Sequence, residues 1–290
     1  MASDAATQGP TLASMPYFDE IFARLDQPES AELVDAFGAR HVHWGYYADA
    51  NNADDSVQGL QTAAEAMTRK LCDAAQIEPG QELLDAGCGF GGTIASLNER
   101  VTPLSLTGLN IDPRQVARAQ SLVRAEPGNT VKFVVGDACR MPFARRSFDR
   151  VLAVECIFHF PSRWAFFREA ARVLKPGGRL TLCDFVPYGP KLPLLVPQVA
   201  AHGASIAGFY GHSNPVPCTL TGYRALARLS GFRLDFDEDV TAHTLPTYAV
   251  VRRLTAKLGH EPGERATEHC ERFARSGLIR YRILSFSRSS

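Results

Sequence analysis

Net charge is what the chain most plainly lacks. Its 31 basic and 31 acidic residues cancel, so no global field recruits nucleic acid or an acidic membrane. The seven cysteines are an odd number and include no C-x-x-C pair. That argues against a disulfide framework and a zinc knuckle, and leaves reduced, buried thiols in a cytoplasmic protein with no metal site. Met1 to Met15 has neither a basic n-region nor an apolar h-region, so no signal peptide is expected. No apolar run approaches the ~20 residues of a membrane helix; the best, Leu192 to Ala201, is interrupted by Pro193 and Pro197. No internal repeat is evident. These absences point to a small-molecule partner rather than nucleic acid or membrane, and a homodimer is compatible with them.

A chain of 290 residues, 45% hydrophobic and 21% charged, suits one α/β domain with additions. Residues 1–15 read as a disordered tail and 16–78 as an N-terminal helical cap. There Phe18, Ile21, Phe22 and Leu25 share one helical face, and a second helix runs from Ser56 to Ala75. Residues 79–290 read as the core, alternating strand and helix as a parallel sheet with crossover helices requires. Strands are expected near 82–86, 104–110, 131–135, 148–154, 178–185, 232–241 and 278–286. Helices are expected near 92–100, 113–125, 163–174, 221–229, 246–258 and 263–275. The stretch 187–220 reads as a lid insertion, irregular as far as Pro217, and 246–275 as cap helices.

The most informative segment is Glu82-Leu83-Leu84-Asp85-Ala86-Gly87-Cys88-Gly89-Phe90-Gly91-Gly92. It is a short apolar strand running into an acidic, glycine-rich turn before a helix. Glycines there let the backbone approach a ligand with no Cβ in the way. The spacing of Gly87, Gly89 and Gly92 also fits a dinucleotide fingerprint. Asp85 argues against a pyrophosphate, because like charges repel in a poorly solvated turn. A ligand with cationic groups and no phosphate, such as S-adenosylmethionine, fits better.

Asp85-Ala86-Gly87-Cys88-Gly89-Phe90-Gly91 resembles motif I of the class I S-adenosylmethionine-dependent methyltransferases. Three further segments resemble that superfamily in order: Asn110 ending the second strand, Gly136-Asp137-Ala138 ending the third, and Lys175-Pro176-Gly177-Gly178 before the fifth. The resemblance implies a Rossmann-like fold, a seven-stranded mostly parallel sheet with helices on both faces, plus helical cap and lid elements. It also implies S-adenosylmethionine as cofactor, against Asp85, Gly87, Cys88 and Gly89. Asn110 would face the ribose in place of the usual acid, with Gln115 nearby, and Asp137 and Ala138 would meet the adenine. Asp112 reads as a helix N-cap, with Pro113 at N1 and Gln115 closing a capping box. A plain turn aspartate would also explain Asp137.

The fourth strand ends in Glu155-Cys156-Ile157-Phe158-His159-Phe160-Pro161. The Asn-Pro-Pro-Tyr of nucleobase methyltransferases is absent. Glu-x-x-x-His instead resembles a small-molecule branch that includes rebeccamycin-type sugar O-methyltransferases and tocopherol, sterol and prenyl C-methyltransferases. The resemblance implies His159 as general base, with Asp184 beside it and Glu155 as the competing catalytic carboxylate or a cofactor contact. Trp44-Gly45-Tyr46-Tyr47 resembles the aromatic segment that closes over the cofactor in this branch, which would place Tyr46 against it. The acceptor is expected to be partly apolar, from Phe166, Phe167, Phe209, Tyr210, Leu245 and Tyr248. O-methylation in natural-product biosynthesis is the favoured activity; C-methylation of a prenyl or aromatic acceptor, or N-methylation of a small amine, is the alternative.

Overall fold

The structure, a computed structural model, describes residues 15–211 and 218–289. Its centre is a seven-stranded sheet of order β3-β2-β1-β4-β5-β7-β6. In chain order the strands are β1 (Glu82–Ala86), β2 (Ser105–Asn110), β3 (Thr130–Val135), β4 (Phe148–Val154), β5 (Leu174–Pro187), β6 (Phe232–Asp239) and β7 (Ile279–Arg288). The first five run parallel, and β7 lies antiparallel between β5 and β6. Strand order reverses between β1 and β4, where an open α/β sheet leaves a crevice at its carboxyl ends.

Alternation along the strands divides the core between the two faces. Leu83 packs with Leu60, Met67, Leu71 and Leu106 on one side. Leu84, its neighbour, packs with Val151, Phe166, Phe167 and Phe286 on the other. Both leucines are fully buried, and truncating either to alanine would cost ~2–5 kcal/mol.

The helices are α1 (Pro16–Arg24), a single turn α2 (Ala31–Leu33), α3 (Val57–Ala75), α4 (Gly92–Arg100), α5 (Pro113–Leu122), α6 (Arg163–Val173), α7 (Leu192–Tyr210), α8 (Leu220–Leu229), α9 (Thr241–Lys257) and α10 (Glu261–Arg275). Local chemistry sets their starts. Ser56, Ser162 and Thr219 each accept a backbone N–H three residues on, capping α3, α6 and α8. Asp112 caps α5 through Arg114 N, but the expected capping box does not close. Asn110 Oδ1 accepts the Asp112 N–H, and Gln115 turns to accept from Asn110 instead.

The main departure from expectation is the 187–217 stretch. Its described part is a helix, not an irregular lid. Pro193 sits in the first turn of α7, where its missing N–H has no partner to lose, and Pro197 is accommodated inside. The membrane expectation needs the same correction. With the turn before it, Gly189–Tyr210 is a 22-residue helical segment long and apolar enough by composition to span a bilayer. The prolines do not interrupt it. Residues 1–14 of the expected disordered tail, and 212–217 of the lid, lie outside the described residues.

Candidate active site

Two cavities meet at the carboxyl edge of the sheet. The first, of about 610 Å3, is lined by Asp85, Gly87, Cys88, Gly89, Asn110, Gln115, Asp137, Ala138 and Glu155, among others. Nine of the ten expected cofactor contacts therefore converge on one space. The exception is Tyr46. Its ring stacks on His243 at 4.5 Å under the Lys70 ammonium, and it lines neither cavity. The strap around it contributes earlier residues instead: Arg40, His41, Val42 and His43 wall the first cavity, and Trp44 the second.

The glycine turn is shaped for close approach. Gly87, Gly89 and Gly91 all have positive φ, and a Cβ built on Gly89 would meet nothing within 4 Å. Behind it, Asp85 is 1% exposed, and neither carboxylate oxygen has a well-formed hydrogen bond among the described residues. Burial pushes its pKa up to about 7, offset in part by the Thr93 hydroxyl. A buried carboxylate facing a cavity without a partner fits a cationic ligand group. Farther along the same cavity, Asn110 donates to Gln115 at 3.0 Å, and Asp137 accepts the Cys139 N–H at 2.7 Å within its own turn.

A buried array fastens the strap. His41 meets Glu65 at 3.1 Å, His43 meets His41 at 3.2 Å, and His43 Nδ1 meets the Trp44 carbonyl at 3.0 Å. Burial holds His43 down to about 3, hence neutral. The His41 ring sits on the start of α4, so close to Gly92 that a Cβ there would fall 2.4 Å from Nδ1.

The second cavity, about 460 Å3, lies under α7, α9 and α10. Of the expected aromatic lining, Phe209, Tyr210 and Tyr248 are present. Phe166 and Phe167 instead pack in the sheet core, and Leu245 does not line the cavity. Four residues line both cavities: Tyr17, Val42, Glu155 and His159. The seam between the cavities thus holds both groups expected of the chemistry, together with a tyrosine from α1.

Glu155 reaches the seam through a left-handed backbone, φ 48°, a strain that a β4 terminus holds because both neighbours are fixed. Its Oε2 accepts from Trp44 N at 2.9 Å and from the Tyr281 hydroxyl at 2.5 Å. Burial nevertheless pushes its pKa up to about 8, with the two donors opposing. His159 Nε2 lies 3.4 Å from the Tyr17 hydroxyl, and the two rings stack.

The expected pairing of Asp184 with His159 is not made. Asp184 is fully buried, accepts from the Tyr223 hydroxyl, and pairs with Arg163 at 3.4 Å. It lines neither cavity. Alternation on β5 accounts for this. Cys183 and Phe185 face Tyr281 on the seam side, so Asp184 between them faces Tyr223 on the other.

A sheet reversing at β1/β4, a glycine turn backed by an anion, and a second cavity opening onto the first define an α/β enzyme that brings a cationic cofactor to a separate acceptor. Residues 84–182 match the family model of the methyltransferase domain. Over 229 residues the chain is 35% identical to methyltransferase GfsG of Streptomyces halstedii, spanning 76% of this chain and 75% of that one. It is 34% identical over 224 residues to 27-O-demethylrifamycin SV methyltransferase of Amycolatopsis mediterranei, spanning 75% and 76%. The solved structure of geranyl diphosphate C-methyltransferase from Streptomyces coelicolor shares the fold, with a TM-score of 0.69 at 20% identity over 96% of this chain and all of that one. The chain belongs to the S-adenosylmethionine-dependent methyltransferases, in the branch that methylates small molecules. The unpartnered Asp85 carboxylate and the open face of Gly89 fit that cofactor.

Proposed function

We propose that this enzyme transfers a methyl group to a hydroxyl of a partly apolar metabolite in natural-product biosynthesis, and that it works in the cytoplasm. The observation that carries the reading is the seam: a histidine and a carboxyl group stand where the cofactor cavity opens into an apolar one. When bound, the cofactor supplies an electrophilic methyl group. Asp85 holds its cationic end, and Asn110, Gln115 and Asp137 hold its nucleoside. His159 accepts the hydroxyl proton at one ring nitrogen, with Tyr17 setting the ring's orientation. Glu155 keeps the Trp44 strap and β7 in register and polarises the seam. Asp184 serves at one remove, holding Arg163 in the acceptor wall. The strap around residues 41–55 and helix α7 close over the reactants and exclude water.

The 27-O-demethylrifamycin SV methyltransferase supports oxygen as the atom methylated. Within the site, carbon methylation is favoured by a carboxyl at Glu155 facing a cavity rich in aromatic rings, where in its ionised form it would meet a cation and take its proton. Incubation with methyl-labelled cofactor and a metabolite extract tests the reading. A labelled methyl ether is the expected product, and a labelled C-methyl product would replace the first reading with the second.

A further inference from the structure

We propose that the acceptor is an uncharged molecule, neither anion nor ammonium, seated by shape with its hydroxyl at the seam. The inference rests on the reading above and narrows it.

Three of the described residues lining the acceptor cavity have side chains of formal charge: Glu20, Glu155 and Arg163. Each is already matched within the protein. Glu20 pairs with Arg24 on its own helix and lies 3.6 Å from His260 Nε2. Arg163, its side chain 10% exposed, faces the fully buried Asp184 at 3.4 Å and also donates to the Tyr223 hydroxyl at 3.3 Å. Glu155 has two donors of the protein on its Oε2, Trp44 N and the Tyr281 hydroxyl, and burial disfavours its ionised form.

An anionic acceptor would therefore enter a cavity whose one cationic wall residue has its counter-charge in place. Its desolvation would go uncompensated. A cation fares no better. The rings that might cage it are turned to one another, Trp44 standing edge-on to Phe185, Tyr210 and Tyr248. Of the other polar groups on the wall, the Thr255 hydroxyl donates to the Val251 carbonyl, the Tyr210 hydroxyl meets Thr267 at 2.7 Å and His260 Nδ1 accepts the Gly263 N–H, while the buried Trp44 Nε1 has no well-formed partner among the described residues. Open polarity on the wall is thus sparse and uncharged, and one hydroxyl arriving at the seam suffices to orient a neutral guest.

Calorimetry on the full chain loaded with S-adenosylhomocysteine would compare three probes of one skeleton: geraniol, geranyl diphosphate and geranylamine. Geraniol should bind at least tenfold more tightly than either charged analogue. Equal or tighter binding of the diphosphate or the amine would overturn the inference, and so would failure of all three. If S-adenosylhomocysteine itself binds, these outcomes leave the methyltransferase reading standing; if it does not, that reading falls first. A second arm needs no probe. The product labelled from a metabolite extract should pass both anion and cation exchangers unretained at pH 7, and retention on either would refute an uncharged acceptor.

Discussion

Replacing Asp85 by Asn separates the binding role of the carboxylate from its effect on stability. In the unliganded protein, burial raises Asp85 from 3.8 to about 7. A shift of that size disfavours the ionised form by roughly 4 kcal/mol at ~1.4 kcal/mol per unit. The folded pKa lies above the unfolded one. Below pH 4 the group is therefore protonated in both states, and its contribution to stability is fully present. That contribution is lost as pH rises toward 7, because unfolding then releases a proton that folding retains. Asn carries no such proton. At pH 8 unliganded Asp85→Asn should be the more stable protein, by about 1–3 kcal/mol once the partly unsatisfied amide is allowed for, with the gap closing near pH 4. Binding should move the opposite way. If the carboxylate meets the cofactor's cationic end as proposed, its loss should weaken S-adenosylhomocysteine at least tenfold, about 1.4 kcal/mol. In the wild type, affinity should fall as pH drops below 7 while Asp85 is protonated; in the variant it should stay flat. Denaturant titration and calorimetry between pH 5 and 8 read both quantities. Unchanged affinity in a folded variant, or a variant less stable than wild type at pH 8, would refute the reasoning.

Four further outcomes follow from the same geometry. His159→Ala should lower kcat by about 10²–10⁴ with cofactor affinity nearly unchanged, while Glu155→Gln costs much less; steady-state kinetics showing the reverse order would indicate carbon methylation. Gly92→Ala, whose Cβ would fall 2.4 Å from His41 Nδ1, should displace the strap, weaken S-adenosylhomocysteine severalfold and speed hydrogen exchange over residues 40–47. Asp184→Ala leaves the Arg163 guanidinium buried without its counter-charge and should cost about 3–5 kcal/mol in denaturant unfolding; a loss under ~1 kcal/mol would mean that the pair is solvated. Hydrogen exchange in α7 and residues 41–55 should slow when cofactor and acceptor bind, and protection equal to that of the strands without ligand would deny them a lid role.

Much of the site was legible because strand ends and glycine turns are local signals. Asp85 lies in the last residues of one short apolar strand, with Gly87 and Gly89 just past it, and Asn110, Asp137 and Glu155 each stand at or just beyond a strand's carboxyl end. What sequence spacing could not carry was side-chain direction. Asp184 lies one residue from two seam-facing neighbours, so it points to the opposite face. Tyr46 is drawn out of the site by His243, nearly two hundred residues away in sequence. Tyr17 escaped notice because its helix was read from its core-facing stripe, and a seam residue sits beside that stripe. His41 and His43 stood in plain view, but nothing local announces that Glu65 and Gly92 will be their partners. Proline spacing alone does not reveal α7: Pro193 falls in the first turn, where it costs no hydrogen bond, and the helix continues through Pro197.

The antiparallel strand β7 imposes an order of events on the newly made chain. It fills the slot between β5 and β6 and brings Tyr281 to Glu155. Until residues 279–288 leave the ribosome, β5 has an unpaired edge and Glu155 lacks one of its two donors. β7 must therefore be made before the seam can assemble, although every described wall of the cofactor cavity precedes it in the chain. A chain cut before residue 279 would not retain partial activity: it would keep a glycine turn able to meet the cofactor beside a reaction centre that is not yet built.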